Sequence, residues 1–168
     1  MRTLILMRHA KSDWSQPGLA DYDRPLNRRG RRAAPAMAHL LEKHHLRPEV
    51  ILTSTARRTQ ETLELMRATG WAPDAIVINE KQLYLASPET ILECISALDN
   101  HWSNAMVMGH NPGLAQLVQR LAGQEMELPT AAVVVFSCDA EDWPTAGRGS
   151  AWKLLHYWKP RDLEPSDA

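Results

Sequence analysis

Two histidines in this 168-residue chain stand at the ends of short apolar runs. His9 follows the run Thr3 to Met7 and is preceded by Arg8, and His110 follows Ala105 to Met108 and is preceded by Gly109. A further run, Val50 to Thr53, leads into Ser54 and then Arg57 and Arg58. Arginine forks bind phosphoryl oxygens in pairs, and helix N-termini offer unpaired N–H groups to the same oxygens. A neutral imidazole can attack phosphorus and form a covalent intermediate. Neighbouring arginines favour that neutral form, because like charge opposes protonation. Arg8, His9, His110 and either Arg57 or Arg58 are therefore the candidate phosphoryl-transfer set. Lys11, Ser12 and Asn111 are further candidates for touching the group. Neither paired acids nor a cysteine cluster stands here to hold a metal, which disfavours metal-assisted hydrolysis.

Such side chains need rigid elements to bring them together. The apolar runs at Thr3–Met7, Val50–Thr53, Ala75–Ile78, Ala105–Met108 and Ala131–Phe136 read as buried strands, with a weaker sixth from Trp152 to Trp158. Between them lie helical patterns. Asn27 is a cap for a helix running towards His45, with Met37, Leu40, Leu41 and His44 on one face and Pro35 predicting a kink or a late start. A second helix follows Ser54, with Leu63 and Met66 inward. Ser87-Pro88 opens a third before Ile91, Leu92, Ile95 and Leu98. Asn111-Pro112 repeats the device, and Gly123 ends that fourth helix. The segment Asp139 to Ser150 reads as a loop. This alternation predicts an α/β, three-layer sandwich: a mainly parallel central sheet with helices on both faces. One domain over residues 1–160 and a loose tail over 161–168 are expected. Ligands of such sheets bind beyond the carboxyl ends of the strands, where the candidate residues stand.

Composition narrows the function classes. Hydrophobic residues at 44% and charged residues at 23% suit a globular chain, and 19 basic against 20 acidic side chains give a net charge of -1. Bulk attraction to a polyanion is excluded, so nucleic acid is not an expected partner. The arginines at 24, 28, 29, 31 and 32 read first as a solvated helix start. Cys94 and Cys138 lack metal spacing and suit reduced thiols. The only early apolar run is too short for a membrane span, and a cytoplasmic location is expected.

The blocks carry a resemblance. Arg8-His9-Ala10 resembles the Arg-His-Gly signature of the histidine phosphatase superfamily, which includes phosphoglycerate mutases and acid phosphatases. The longer string Met7 to Trp14 resembles its short SixA-type phosphohistidine phosphatase branch. Asp23-Arg24-Pro25-Leu26 with Gly30, Ser54 to Thr62 in the pattern Ser-x-x-x-Arg-x-x-x-Thr, and Gly109-His110-Asn111-Pro112-Gly113 match further blocks in order. The resemblance implies a phosphoglycerate mutase-like fold, a phosphorylated intermediate on His9, and phosphoryl binding by Arg8, Arg58 and His110. Arg58 fits the block better than Arg57. No metal or organic cofactor is implied.

Ala10 replaces the usual glycine, and no strong general acid stands out. Glu80, after the third strand, is the candidate, with Asp13 a polar neighbour of the site. Absence of an acid points to a good leaving group such as a phosphoramidate. The implied partner is a phosphorylated signalling protein, such as a phosphotransfer domain. A small phosphorylated metabolite cleaved by the same His9 chemistry, and a non-catalytic phosphate-binding module, remain as alternatives. Trp14 is placed near the site mouth.

Overall fold

A computed structural model describes residues 1–148 and 151–163. Six strands form one sheet in the order β3-β2-β4-β1-β5-β6. They are β1 (Arg2–Arg8), β2 (Val50–Thr53), β3 (Ile76–Asn79), β4 (Asn104–Gly109), β5 (Val133–Cys138) and β6 (Lys153–Trp158). β1 pairs in parallel with β4, β4 with β2, and β2 with β3. β5 runs antiparallel to β1, and β6 antiparallel to β5. The fold is thus α/β with a mainly parallel sheet.

Alternation along the strands sorts side chains into two cores. Leu4 and Leu6, Val107 and Val134 face α3 (Pro88–Ser96), α4 (Gly113–Ala122) and α5 (Trp143–Gly147). Ile5 and Met7, Met106 and Val135 face α1 (Arg28–Lys43) and α2 (Arg57–Arg67). Central strands are apolar on both faces because helices cover both.

The helix starts follow their caps. Asn27 accepts from Gly30 N–H at 2.9 Å, and α1 continues through Pro35 from Arg28, with no late start. Gly30, Ala34, Met37, Ala38 and Leu41 are its buried residues, whereas His44 is exposed. α4 starts at Gly113 rather than Pro112, and Asn111 still caps it by accepting from Ala115 N–H at 3.2 Å.

Three expectations change. The Ala75–Ile78 run becomes the edge strand β3, with Ile76 exposed, because four apolar residues cannot distinguish a central strand from an edge. The expected loop at 139–150 contains α5, opened by an Asp142 cap with Pro144 in its first turn and anchored by fully buried Trp143. Within the expected tail, Pro160–Leu163 forms a 3-10 turn, and Leu163 packs against the α1 side of the core. Residues 149–150 and 164–168 lie outside the described ones. Among the described residues no helix is long and apolar enough to cross a membrane.

Candidate active site

The register Arg8↔Gly109 sets the carboxyl ends of β1 and β4 side by side, so His9 and His110 emerge abreast. Their ring centroids lie 5.1 Å apart. β2 lies on the other side of β4, and Ser54 N–H donates to Met108 O at 3.1 Å, bringing the start of α2 to the same end. Thr62 ties α2 to the histidine loop: it accepts from Ala10 N–H at 3.0 Å and donates to Arg58 O at 2.6 Å.

Two close backbone approaches fix the surrounding loops. A Cβ on Gly30 would collide with the Lys11 carbonyl oxygen, and one on Gly113 with the Ala86 carbonyl oxygen. Gly30 therefore lets α1 press against the Lys11-Ser12 segment, and Gly113 lets α4 reach the loop before α3.

His9 Nδ1 lies 2.7 Å from the Ala10 carbonyl oxygen. A carbonyl only accepts, so Nδ1 holds the proton and Nε2 keeps its lone pair. Arg58 Nε–H reaches that lone pair at 3.3 Å. Burial, followed by His110 and then the charges of Arg58 and Arg8, lowers the His9 pKa to about 3 against the hydrogen bond to Ala10, which raises it. Burial and then Arg58 lower His110 to about 3 as well. Both rings are uncharged at neutral pH. Ser54 Oγ lies 2.7 Å from His110 Nε2. With the serine hydroxyl donating, His110 carries its proton on Nδ1, a donor with no protein partner.

Arg58 is 4% exposed, and its fork is engaged. Nη1 donates to the Asp21 carbonyl oxygen at 2.7 Å and Nη2 to Asp21 Oδ2 at 3.0 Å, leaving Nε facing His9. Tyr84 O–H donates to the same Oδ2 at 2.5 Å, and Arg24 Nη1 reaches Oδ1 at 3.2 Å. Tyr84, then Arg58 and Arg24, hold the Asp21 carboxyl below its ordinary pKa, so it stays ionised. Arg8, His9, Lys11, Ser12, Trp14, Asp21, Arg24, Arg58, Leu85, His110 and Asn111 line one cleft of about 550 Å³, with Pro129 and Thr130. Buried side-chain polar atoms without a partner, among the described residues, are Arg8 Nε, Arg24 Nε, His110 Nδ1 and Arg67 Nε. All but the last belong to this cleft, which suits an anion-binding site.

Residues 4–80 match the sequence model of the histidine phosphatase superfamily (branch 1). An uncharacterized protein of Mycobacterium tuberculosis is 33% identical over 162 residues, covering 96% of this chain and 94% of its own. A structure from Agrobacterium tumefaciens, described as a candidate phosphohistidine phosphatase SixA, superposes with a TM-score of 0.81 at 28% identity, over 95% of this chain and 98% of its own. One from Nakamurella multipartitia with the same description gives 0.82 at 27%, over 95% and 96%. The chain belongs to the histidine phosphatase superfamily.

Within that superfamily it is of the SixA type, with the architecture of a phosphatase hydrolase. This histidine phosphatase gathers Arg8, His9, Arg58 and His110 at one cleft, along with Lys11, Ser12 and Asn111. Asn111 is committed to the loop, donating to Leu128 O at 2.8 Å while capping α4. Arg57 is exposed and pairs with Glu61 at 3.0 Å. Asp13 accepts from Ser15 N–H at 2.7 Å and does not line the cleft.

Glu80 is not brought to His9. It lines a separate cavity with Leu52, Cys94 and Trp102. The strand order explains this, since three interstrand spacings, about 14 Å, separate β3 from β1. Arg24 is a cleft residue that the sequence reading missed. Rather than joining a solvated cluster, it is buried, bonds Ser12 Oγ, and leaves Arg28, Arg29, Arg31 and Arg32 exposed. Its place in the Asp-Arg-Pro-Leu block was the available signal. Asp21 and Tyr84 were missed too, because they join the site only through tertiary contacts.

Proposed function

We propose that this chain is a phosphohistidine phosphatase acting on a phosphorylated signalling protein, such as a phosphotransfer domain. His9 Nε2 attacks phosphorus, and the substrate P–N bond breaks with its electron pair passing to the departing imidazole. That imidazole leaves neutral because its other ring nitrogen carries a proton. Water then attacks the phosphorus on His9. The P–Nε2 bond breaks, phosphate departs, and His9 regains its lone pair. Arg58 Nε–H, Arg8 and the Nδ1–H of His110 stabilise charge on the phosphoryl oxygens. The guanidinium charges are present without a metal, and the reaction is read as metal-independent.

The observation that carries this reading is His9 itself: uncharged, with Nδ1–H committed to Ala10 and the Nε2 lone pair facing Arg58. The leaving group is supported by Asp21, the carboxylate lining the cleft, which is ionised and has no proton to give. An alkoxide needs that proton, whereas an imidazole does not. The description of the Agrobacterium neighbour points the same way.

The test compares a phosphohistidine-bearing protein with an aryl phosphate, for wild type and His9→Ala, with chelator present. Chelator-resistant loss of phosphohistidine that disappears with His9 is expected. Activity on the aryl phosphate alone moves the assignment to a small-molecule phosphomonoesterase. Phosphate binding without turnover of either leaves a binding module.

A further inference from the structure

Resting on that reading, we propose that Trp14 and Leu85 form an apolar rim that docks a protein surface around the phosphorylated side chain. The site then selects phosphohistidine displayed on a folded partner over the same group on a free amino acid. Among the described residues the large exposed hydrophobics are Met1, Trp14, Ile76, Leu85 and Leu155. Two of these, Trp14 at 77% exposure and Leu85 at 53%, line the cleft that holds His9. Placed beside a cationic site, these side chains offer an apolar contact that a small hydrophilic phosphate does not use.

Both residues are held in place. The Arg24 guanidinium lies 3.2 Å from the Trp14 ring centroid, and Arg24 is itself buried and bonded to Ser12 and Asp21. Leu85 has φ +52°, a left-handed conformation that non-glycine residues rarely adopt. It is pinned from both sides: Tyr84 is bound to Asp21, and the Ala86 carbonyl lies against Gly113. A rigid aromatic and a fixed aliphatic group lose little entropy on contact, as interface anchors do. The occupant follows from complementarity. Arg8, Arg24 and Arg58 suit the phosphoryl dianion, while the rim suits apolar side chains flanking the phosphohistidine.

Two substrates with the same scissile P–N bond test this: a phosphotransfer domain phosphorylated with phosphoramidate, and free phosphohistidine. Trp14→Ser and Leu85→Asn remove the apolar surface, and asparagine tolerates the left-handed backbone. Each is expected to lower the ratio of kcat/KM, protein over free amino acid, by about tenfold, mostly through KM. Trp14→Phe, which keeps a ring over Arg24, should hold that ratio within about threefold. An unchanged ratio in both polar variants overturns the rim while leaving the phosphatase reading intact. Wild type that cleaves neither substrate overturns the phosphohistidine reading, and the rim with it.

Discussion

Lowering the pH should destabilise the folded chain through two imidazoles that it keeps uncharged. His9 and His110 titrate at about 3 when folded, against 6.5 when unperturbed. The unfolded chain therefore binds protons, as pH falls through 6.5, that the folded chain refuses until about 3. Stability contributed by these groups is present above 6.5 and is lost below it. Between pH 7.5 and 5.0 the linkage amounts to about 2 kcal/mol per histidine, about 4 kcal/mol for the pair. That is a large share of the roughly 5–15 kcal/mol typical of a domain. Urea unfolding at the two pH values, for wild type and His9→Gln, isolates one imidazole. Glutamine cannot titrate, so the variant should lose about 2 kcal/mol less than wild type across this interval. Carboxylate contributions are common to both proteins and cancel. Equal losses, or a His9 ring resonance titrating near its unperturbed value, would refute the reasoning.

Other perturbations read separate parts of the site. Arg58→Lys removes both the Nε donor at His9 and the fork that grips Asp21, and should lower kcat by about 10²–10³ in steady-state assays. Gly30→Ala forces the Lys11-Ser12 segment away from α1. It should cost about 1–3 kcal/mol in denaturant melts and raise KM for phosphorylated substrates. Glu80→Gln should leave kcat within about twofold on both phosphohistidine and aryl phosphate, because Glu80 lines another cavity.

The cleft ends of the strands were legible because each strand is a short apolar run, with His9 and His110 directly after two of them and Arg58 in the first turn of the helix after a third. Two-residue periodicity along β1 also separates Leu4 and Leu6 from Ile5 and Met7, anticipating helices on both faces. Strand order is a long-range property. No local pattern says that β4 inserts between β1 and β2, or that β3 ends up at the edge. The candidate general acid at Glu80 failed on that point. Arg24 was obscured for a different reason: neighbouring arginines look alike in sequence, and only folding buries one while leaving the others in water. Asp21 and Arg58 lie 37 residues apart, so their pairing needed the finished loop geometry.

The hold of Asp21 on Arg58 bears on what happens after hydrolysis. An arriving phosphoryl dianion meets a guanidinium already neutralised in part by an internal carboxylate, so it displaces a counterion rather than filling a bare charge. Inorganic phosphate faces the same competition when it leaves, and the carboxylate beside it favours its escape. In the proposed reaction, a fork held by Asp21 thus grips bound substrate and product less firmly than a free guanidinium would.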